Sequence, residues 1–337
     1  MSIKFEFLPH SGECILITTP DFVILVDAGG SHPFKNSTFK KLKREIPKID
    51  IAIISHIDSD HIGGFKALLN DQNFVSNLKY CIFNEPKEAL IFNETSNSDS
   101  RSAAQATLIS NHIRKIPNIK HINCFHTASN PREILKEFKN LNLTILSPTY
   151  ETLYELNKEW KLKLFLDKEG LRSSETHDFN SSIHRLSNIT FTPDPSLPNK
   201  SSIAFILEYN KKSYLLLGDS HITEINKELR RIKESGIHNL KFEFVKLSHH
   251  GSKHNINPEF INLIQTNNYI ICRNNSSSTS FTLPDRETVA KIVFFNRQKG
   301  NNEKLIFYVT KRINSHLDFK DEKEKFNFEI KLLDYSL

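Results

Sequence analysis

Nothing in this chain of 337 residues approaches the run of about 20 apolar residues needed to cross a bilayer. The N-terminal stretch Met1-Ser2-Ile3-Lys4-Phe5-Glu6-Phe7 lacks the apolar core and small-residue cleavage site of a secretory signal. A cytoplasmic protein without membrane contact is the expectation. Cysteine is scarce: Cys14, Cys81, Cys124 and Cys272 are scattered, and no two form a Cys-x-x-Cys pair. All but Cys124 sit inside apolar runs, which argues for reduced core residues and against a disulfide framework or a zinc knuckle. No basic stripe studded with aromatics is visible, so no nucleic-acid-binding module can be read from composition. The net charge of +6 is spread along the chain and only mildly favours acidic partners. Its densest cluster, Lys40-Lys41-Leu42-Lys43-Arg44, reads as a solvated helix face.

What is present is repeated alternation of short apolar strands and amphipathic helices. Strands are expected at 3–8, 13–19, 22–27, 51–54, 78–83, 121–125, 143–146, 201–209, 213–217, 242–247, 269–272, 305–310 and 326–332. Helices are expected at 37–46, 65–69, 103–116, 131–139, 221–235, 258–264 and 284–297, and 93–101 reads as a Ser/Asn-rich loop. The spacing implies a sheet core covered by helices. Residues 1–337 read as a single domain. Residues 150–198, with three prolines between Pro193 and Pro198, read as an insertion or lid beside an active site.

The densest chemistry lies in Asp50-Ile51-Ala52-Ile53-Ile54-Ser55-His56-Ile57-Asp58-Ser59-Asp60-His61-Ile62-Gly63-Gly64. A buried strand over Ile51–Ile54 stops at Ser55. His56, Asp58, Asp60 and His61 then follow before Gly63 and Gly64, which are expected to let the backbone turn tightly. Two imidazoles and two carboxylates after a strand end supply donors suited to zinc, manganese or iron. Asp219 and His249 also end apolar runs, and strand ends bearing ligands can converge at one sheet edge. Asp27, after the third strand, is either a turn residue or a carboxylate that orients a ligand.

This stretch resembles the metallo-β-lactamase fold signature His-x-His-x-Asp-His followed by Gly-Gly, with Asp58 in place of a histidine. The form Ser-His-x-Asp-x-Asp-His-Ile-Gly-Gly is similar to one branch, the soluble domain of bacterial DNA-uptake channel proteins and its stand-alone relatives. Three later pieces fit in order. Leu217-Gly218-Asp219 resembles the strand-Gly-Asp whose carboxylate bridges two metals. Ser248-His249-His250-Gly251-Ser252 resembles the branch's His-His-Gly-Ser. Asn199-Lys200-Ser201-Ser202 lacks the histidine found there in commoner members. The resemblance implies an αββα sandwich, two mixed β-sheets flanked by helices, with the site along one edge.

The resemblance further implies one or two divalent metals, zinc first and manganese second. The ligand set is His56, Asp58, Asp60, His61, Asp219 and one of His249 and His250, with His249 preferred because it directly continues the strand. Asp60 is expected to orient the attacking water and take its proton. His221 and His254 are candidates for supporting a ligand or for general acid, and His254 is taken as the catalytic acid. The implied activity is hydrolysis of phosphodiester bonds, with a nucleic acid or nucleotide as substrate. The alternatives are an ester, lactam or peptide hydrolase, or a catalytically weak metal-binding module with a protein partner in a defence or uptake system. One departure stands out: the branch has His-Pro before its last long helix, and this chain has Leu283-Pro284.

Overall fold

The structure, a computed structural model, describes residues 3–8, 12–30, 49–85, 98–163, 181–272, 283–310 and 317–333. The first sheet contains β1 (Lys4–Phe7), β2 (Ile15–Thr18), β3 (Val23–Val26), β4 (Ile51–Ile54), β5 (Tyr80–Phe83) and β6 (Lys120–Ile122), in that order. Its first three strands are antiparallel and β3 to β6 are parallel. The second sheet contains β7 (Asn142–Ser147), β8 (Ala204–Tyr209), β9 (Lys212–Leu216), β10 (Phe244–Lys246), β11 (Asn268–Ile271), β12 (Leu305–Val309) and β13 (Phe328–Leu332). Its spatial order runs from β13 back to β7, with β7–β8–β9 antiparallel and β9 to β13 parallel.

Side-chain alternation sorts the core into three layers. Between the sheets, Phe5, Ile17, Ile51 and Ile53 meet Phe205, Leu216, Phe244 and Ile270. Phe5 stands edge-on to Phe244 with ring centroids 4.8 Å apart. The other face of the first sheet, with Ala52 and Ile54, packs under helical residues Phe65, Ala106, Ile109 and Ile113. The other face of the second, with Val245 and Ile271, packs under the helices Ile222–Glu234 and Arg286–Gln298. Every residue of β4 is buried, as continuous apolar runs in doubly covered parallel strands require. The architecture is the αββα sandwich.

Several elements differ from expectation. The helix expected at 37–46 and the Lys40–Arg44 cluster lie outside the described residues. The helix Ser98–Ile113 begins inside the stretch read as a loop, because its serines are tolerated in the first turn. The helix expected over 131–139 ends at Ile134, after which Leu135 leaves helical backbone angles. Within 150–198 there are helices at Tyr150–Lys163 and Ile183–Ser187. The second lies against Arg286–Gln298, with the His184 ring 5.7 Å from that of Phe294. Residues 164–180, including His177, lie outside the described residues.

Candidate metal centre

Parallel strands aim their carboxyl ends the same way, and ligand sites in such sheets form there. Asp27 follows β3 and Ser55-His56 follow β4. In the second sheet Gly218-Asp219 follow β9, Ser248-His249-His250 follow β10, and Cys272 follows β11. Two glycines make the approach feasible. A Cβ on Gly12 would fall 1.8 Å from the Asp60 carbonyl oxygen, and one on Gly218 would fall 2.4 Å from Ser202 Oγ. Gly63 and Gly64, in contrast, have ordinary right-handed φ values of −55° and −71°. The expectation that glycine freedom makes their turn therefore fails, since any residue adopts such angles.

The first loop holds its histidines by their Nδ1 atoms. Asp27 is fully buried and accepts from the Ser55 N–H at 2.7 Å and the Ser55 hydroxyl at 2.6 Å. It also accepts from His61 Nδ1 at 2.7 Å, so the orienting reading of Asp27 is the one that fits. His56 Nδ1 donates to Ser55 Oγ at 3.0 Å. On the far side His250 Nδ1 donates to the Cys272 carbonyl at 2.6 Å. With the proton on Nδ1 alone, each Nε2 offers a lone pair to a cation; with a proton on Nε2, His250 donates to Asp60 Oδ2 at 3.1 Å.

Those three Nε2 atoms face two carboxylates. His61 Nε2 is 3.4 Å from Asp219 Oδ2 and 3.9 Å from Asp60 Oδ2. His56 Nε2 is 3.9 Å from Asp219 Oδ2 and 3.6 Å from Asp58 Oδ2. His250 Nε2 is 3.1 Å from Asp60 Oδ2 and 3.9 Å from Asp219 Oδ2. Tetrahedral ligands at about 2.1 Å from zinc lie about 3.4 Å from one another, so the spacing suits a small divalent cation. His56 Nε2, His61 Nε2 and Asp219 Oδ1 are buried with no hydrogen-bond partner. Buried polar atoms are rarely left so, and a cation would satisfy all three. His56, His61 and Asp219 form one ligand-competent group, and Asp60, His61 and His250 form another. Asp58 sits at the rim, its side chain 39% exposed.

Electrostatics point the same way. Burial pushes the Asp60 and Asp219 carboxyls up, but His61 and His250 outweigh it and hold both well below the usual carboxylate range. Burial alone would lower the His61 pKa; the charges of Asp219, Asp60 and Asp27 raise it well above its ordinary value. The pocket concentrates negative charge that calls for a cation.

His249 and His250 divide differently from expectation. His250, not the preferred His249, faces Asp60 and Asp219. Both residues have left-handed backbone, with φ of 46° and 53°, so the chain coils back after β10 and the second ring points inward. His249 Nδ1 turns to Asp194 Oδ2 at 3.1 Å and Asn255 Oδ1 at 3.2 Å. Asp194 also accepts from Asn199 Nδ2 at 2.8 Å and the Ser196 N–H at 2.9 Å. The His249 side chain is 31% exposed. Burial lowers its pKa, but Asp219 and Asp194 outweigh that and raise it to about 9. Burial raises Asp194, but His249 outweighs it and holds the carboxyl at about 2.

His254, expected as catalytic acid, donates from Nδ1 to the Thr192 carbonyl at 2.8 Å. No hydrogen bond or ion pair among the described residues joins it to the ligand group. His221 lies beside Asp194, its Nε2 3.9 Å from Oδ1. Sequence reasoning missed Asp194, Asn199 and Asn255. The irregular Pro-rich run carries Asp194, and Asn199 opens the stretch where commoner members of the resembled family have a histidine.

Residues 8–76, well under half of the chain, match the family model described as the metallo-beta-lactamase superfamily. That segment holds β2 to β4 and the His56–His61 loop. No curated protein matches the chain. Among solved structures, the metallo-beta-lactamase fold protein YhfI from Bacillus subtilis is 12% identical, covering 99% of this chain and 98% of its own, with a TM-score of 0.45. The metallo hydrolase Igni18 from Ignicoccus hospitalis is 10% identical over 99% and 98%, with a TM-score of 0.46. Zn(2+)-bound PqqB from Methylobacterium extorquens is 8% identical over 96% and 86%, with a TM-score of 0.43. Two mixed sheets flanked by helices, with the matched segment supplying β2 to β4 of the first, make this a metallo-β-lactamase α/β fold.

Proposed function

We propose that the chain is a metal-dependent hydrolase of phosphodiester bonds, taking one or two divalent ions, zinc or manganese. The observation that carries this is the convergence of three Nε2 lone pairs on Asp219 and Asp60, with three buried donor atoms lacking any hydrogen-bond partner. His56, Asp58 and Asp219 would hold one ion, and Asp60, His61, His250 and Asp219 the other. Such ions supply Lewis acidity that makes water a nucleophile near neutral pH. The third carboxylate, Asp58, shifts preference toward harder ions such as manganese.

The chain's own groups complete the chemistry. Asp60 orients the water and accepts its proton. His249 replaces His254 as proton donor: Asp194 and Asn255 hold its Nδ1–H, leaving Nε2 to deliver a proton to the departing oxygen. The phosphodiester class is supported by the likeness of Ser55–Gly64 and Ser248–Ser252 to the DNA-uptake branch. The net charge of +6 agrees with a polyanionic substrate in the cytoplasm.

Purified protein with manganese or zinc is expected to cleave DNA, RNA or a cyclic nucleotide, and His61→Ala to abolish turnover. Full metal occupancy with no cleavage of any phosphodiester would remove this substrate class and leave esters, lactams and peptides. Leu283-Pro284, where the branch has His-Pro, favours a second reading: a metal-stabilised module that works by binding a protein partner. Metal retained, no turnover and a copurifying partner would support it.

A further inference from the structure

Lys246 shares the inner face of β10 with Phe244, where apolar residues are the rule, and it is 0% exposed. Its ammonium is ion-paired with Glu13, which is 1% exposed and belongs to the opposite sheet's side of the sandwich. Filling a core with two charges does not serve stability well: volume-matched apolar residues often do as well or better. The pair does make connections that apolar side chains could not. Lys246 Nζ donates to the Gly218 carbonyl at 2.9 Å, directly before Asp219. The same carbonyl accepts from the His249 N–H at 3.1 Å. On the other side the Glu13 N–H donates to the Asp60 carbonyl at 3.0 Å, and the Glu13 carbonyl accepts from the Gly29 N–H at 2.7 Å.

We propose that the buried Glu13–Lys246 pair is a positioning strut that sets the spacing between the two halves of the metal cluster. It ties the backbone of the Asp60 loop to the backbone of the Gly218-Asp219 and His249-His250 turns. Neither side chain acts as a ligand in this role: the Glu13 carboxylate, which could also join Asp27 and His61 around an ion, is engaged by Lys246. This rests on the metal-binding part of the proposed function and is independent of the substrate class.

The test is calorimetric titration of chelator-stripped protein with zinc and with manganese, alongside melting of the metal-free forms. The double variant Glu13→Leu/Lys246→Met should melt close to wild type yet bind metal roughly 10–100-fold more weakly, as loss of groups that orient ligands does. Wild-type affinity in a folded double variant would overturn the strut. If the double variant does not fold, Glu13→Asp decides, since it keeps both charges and shortens the link by one methylene. A smaller but clear loss of affinity is expected there, and an unchanged affinity overturns the proposal. Wild type that binds neither metal would overturn the metal reading itself, and is seen without any variant. Wild type that binds metal but cleaves nothing removes only the phosphodiester assignment.

Discussion

The two sheets contribute to the cluster in different ways. The first offers His56, Asp58, Asp60 and His61 from one short loop, braced locally by Asp27 and Ser55. The second offers Asp219 and His250 from the ends of two separate strands, braced by backbone carbonyls, by Lys246 and by Ser202, whose hydroxyl accepts from the Asp219 N–H at 3.0 Å. The donors of one half are neighbours in sequence, braced from the end of the adjacent strand by Asp27, while those of the other come from separate strands held by packing between strands and across the sandwich. The first half should therefore lose function through changes to single bracing side chains, and the second through changes that move a strand end.

The largest effect expected from a single residue outside the ligands is at Asp27. Asp27→Asn keeps an acceptor for His61 Nδ1 but removes the charge. A drop in metal affinity of about 10-fold or more is expected by titration. Unchanged affinity would show that the first half needs no charged brace, and would erase the contrast between the two halves.

Next comes the dyad at the rim of the second half. His249→Gln and Asp194→Asn should each lower kcat by roughly 100-fold through loss of proton transfer, with metal content unchanged by elemental analysis. Loss of metal in His249→Gln would place His249 among the ligands and restore the expectation from sequence. A variant at His254 should change kcat little.

The smallest effect is on stability against pH in chelator-stripped protein. His249, raised from 6.5 to about 9, contributes stability that is fully present below pH 6.5 and lost as pH rises through 9. Asp194, lowered from 3.8 to about 2, contributes stability present above pH 3.8 and lost as pH falls through 2. The melting difference between wild type and Asp194→Ala should be greatest between those two ordinary values and shrink on either side. A difference flat from acid to alkaline pH would mean that the pair is held by packing alone.

The same division explains what could be read from the chain itself. The His56–His61 loop was legible because its donors are close in sequence and follow a buried strand. The β-strands were legible because their apolar runs are short and bounded by turn residues. The choice between His249 and His250 was not, because it depends on two successive left-handed residues that no side-chain pattern announces. Asp194 reaches His249 only when the Pro-rich run folds over the turn after β10, and Asn255 only when that turn curls back on itself. Glu13 and Lys246 each fall in an expected strand with nothing to single them out; only the packing of one sheet on the other makes them a buried pair.

The most direct test of the account is the anomalous scattering of crystals soaked in zinc or manganese. Ions are expected within about 2.3 Å of Nε2 of His56, His61 and His250, with the Asp219 carboxylate between them and His249 Nε2 uncoordinated. Ions bound elsewhere, or His249 coordinated in place of His250, would contradict it.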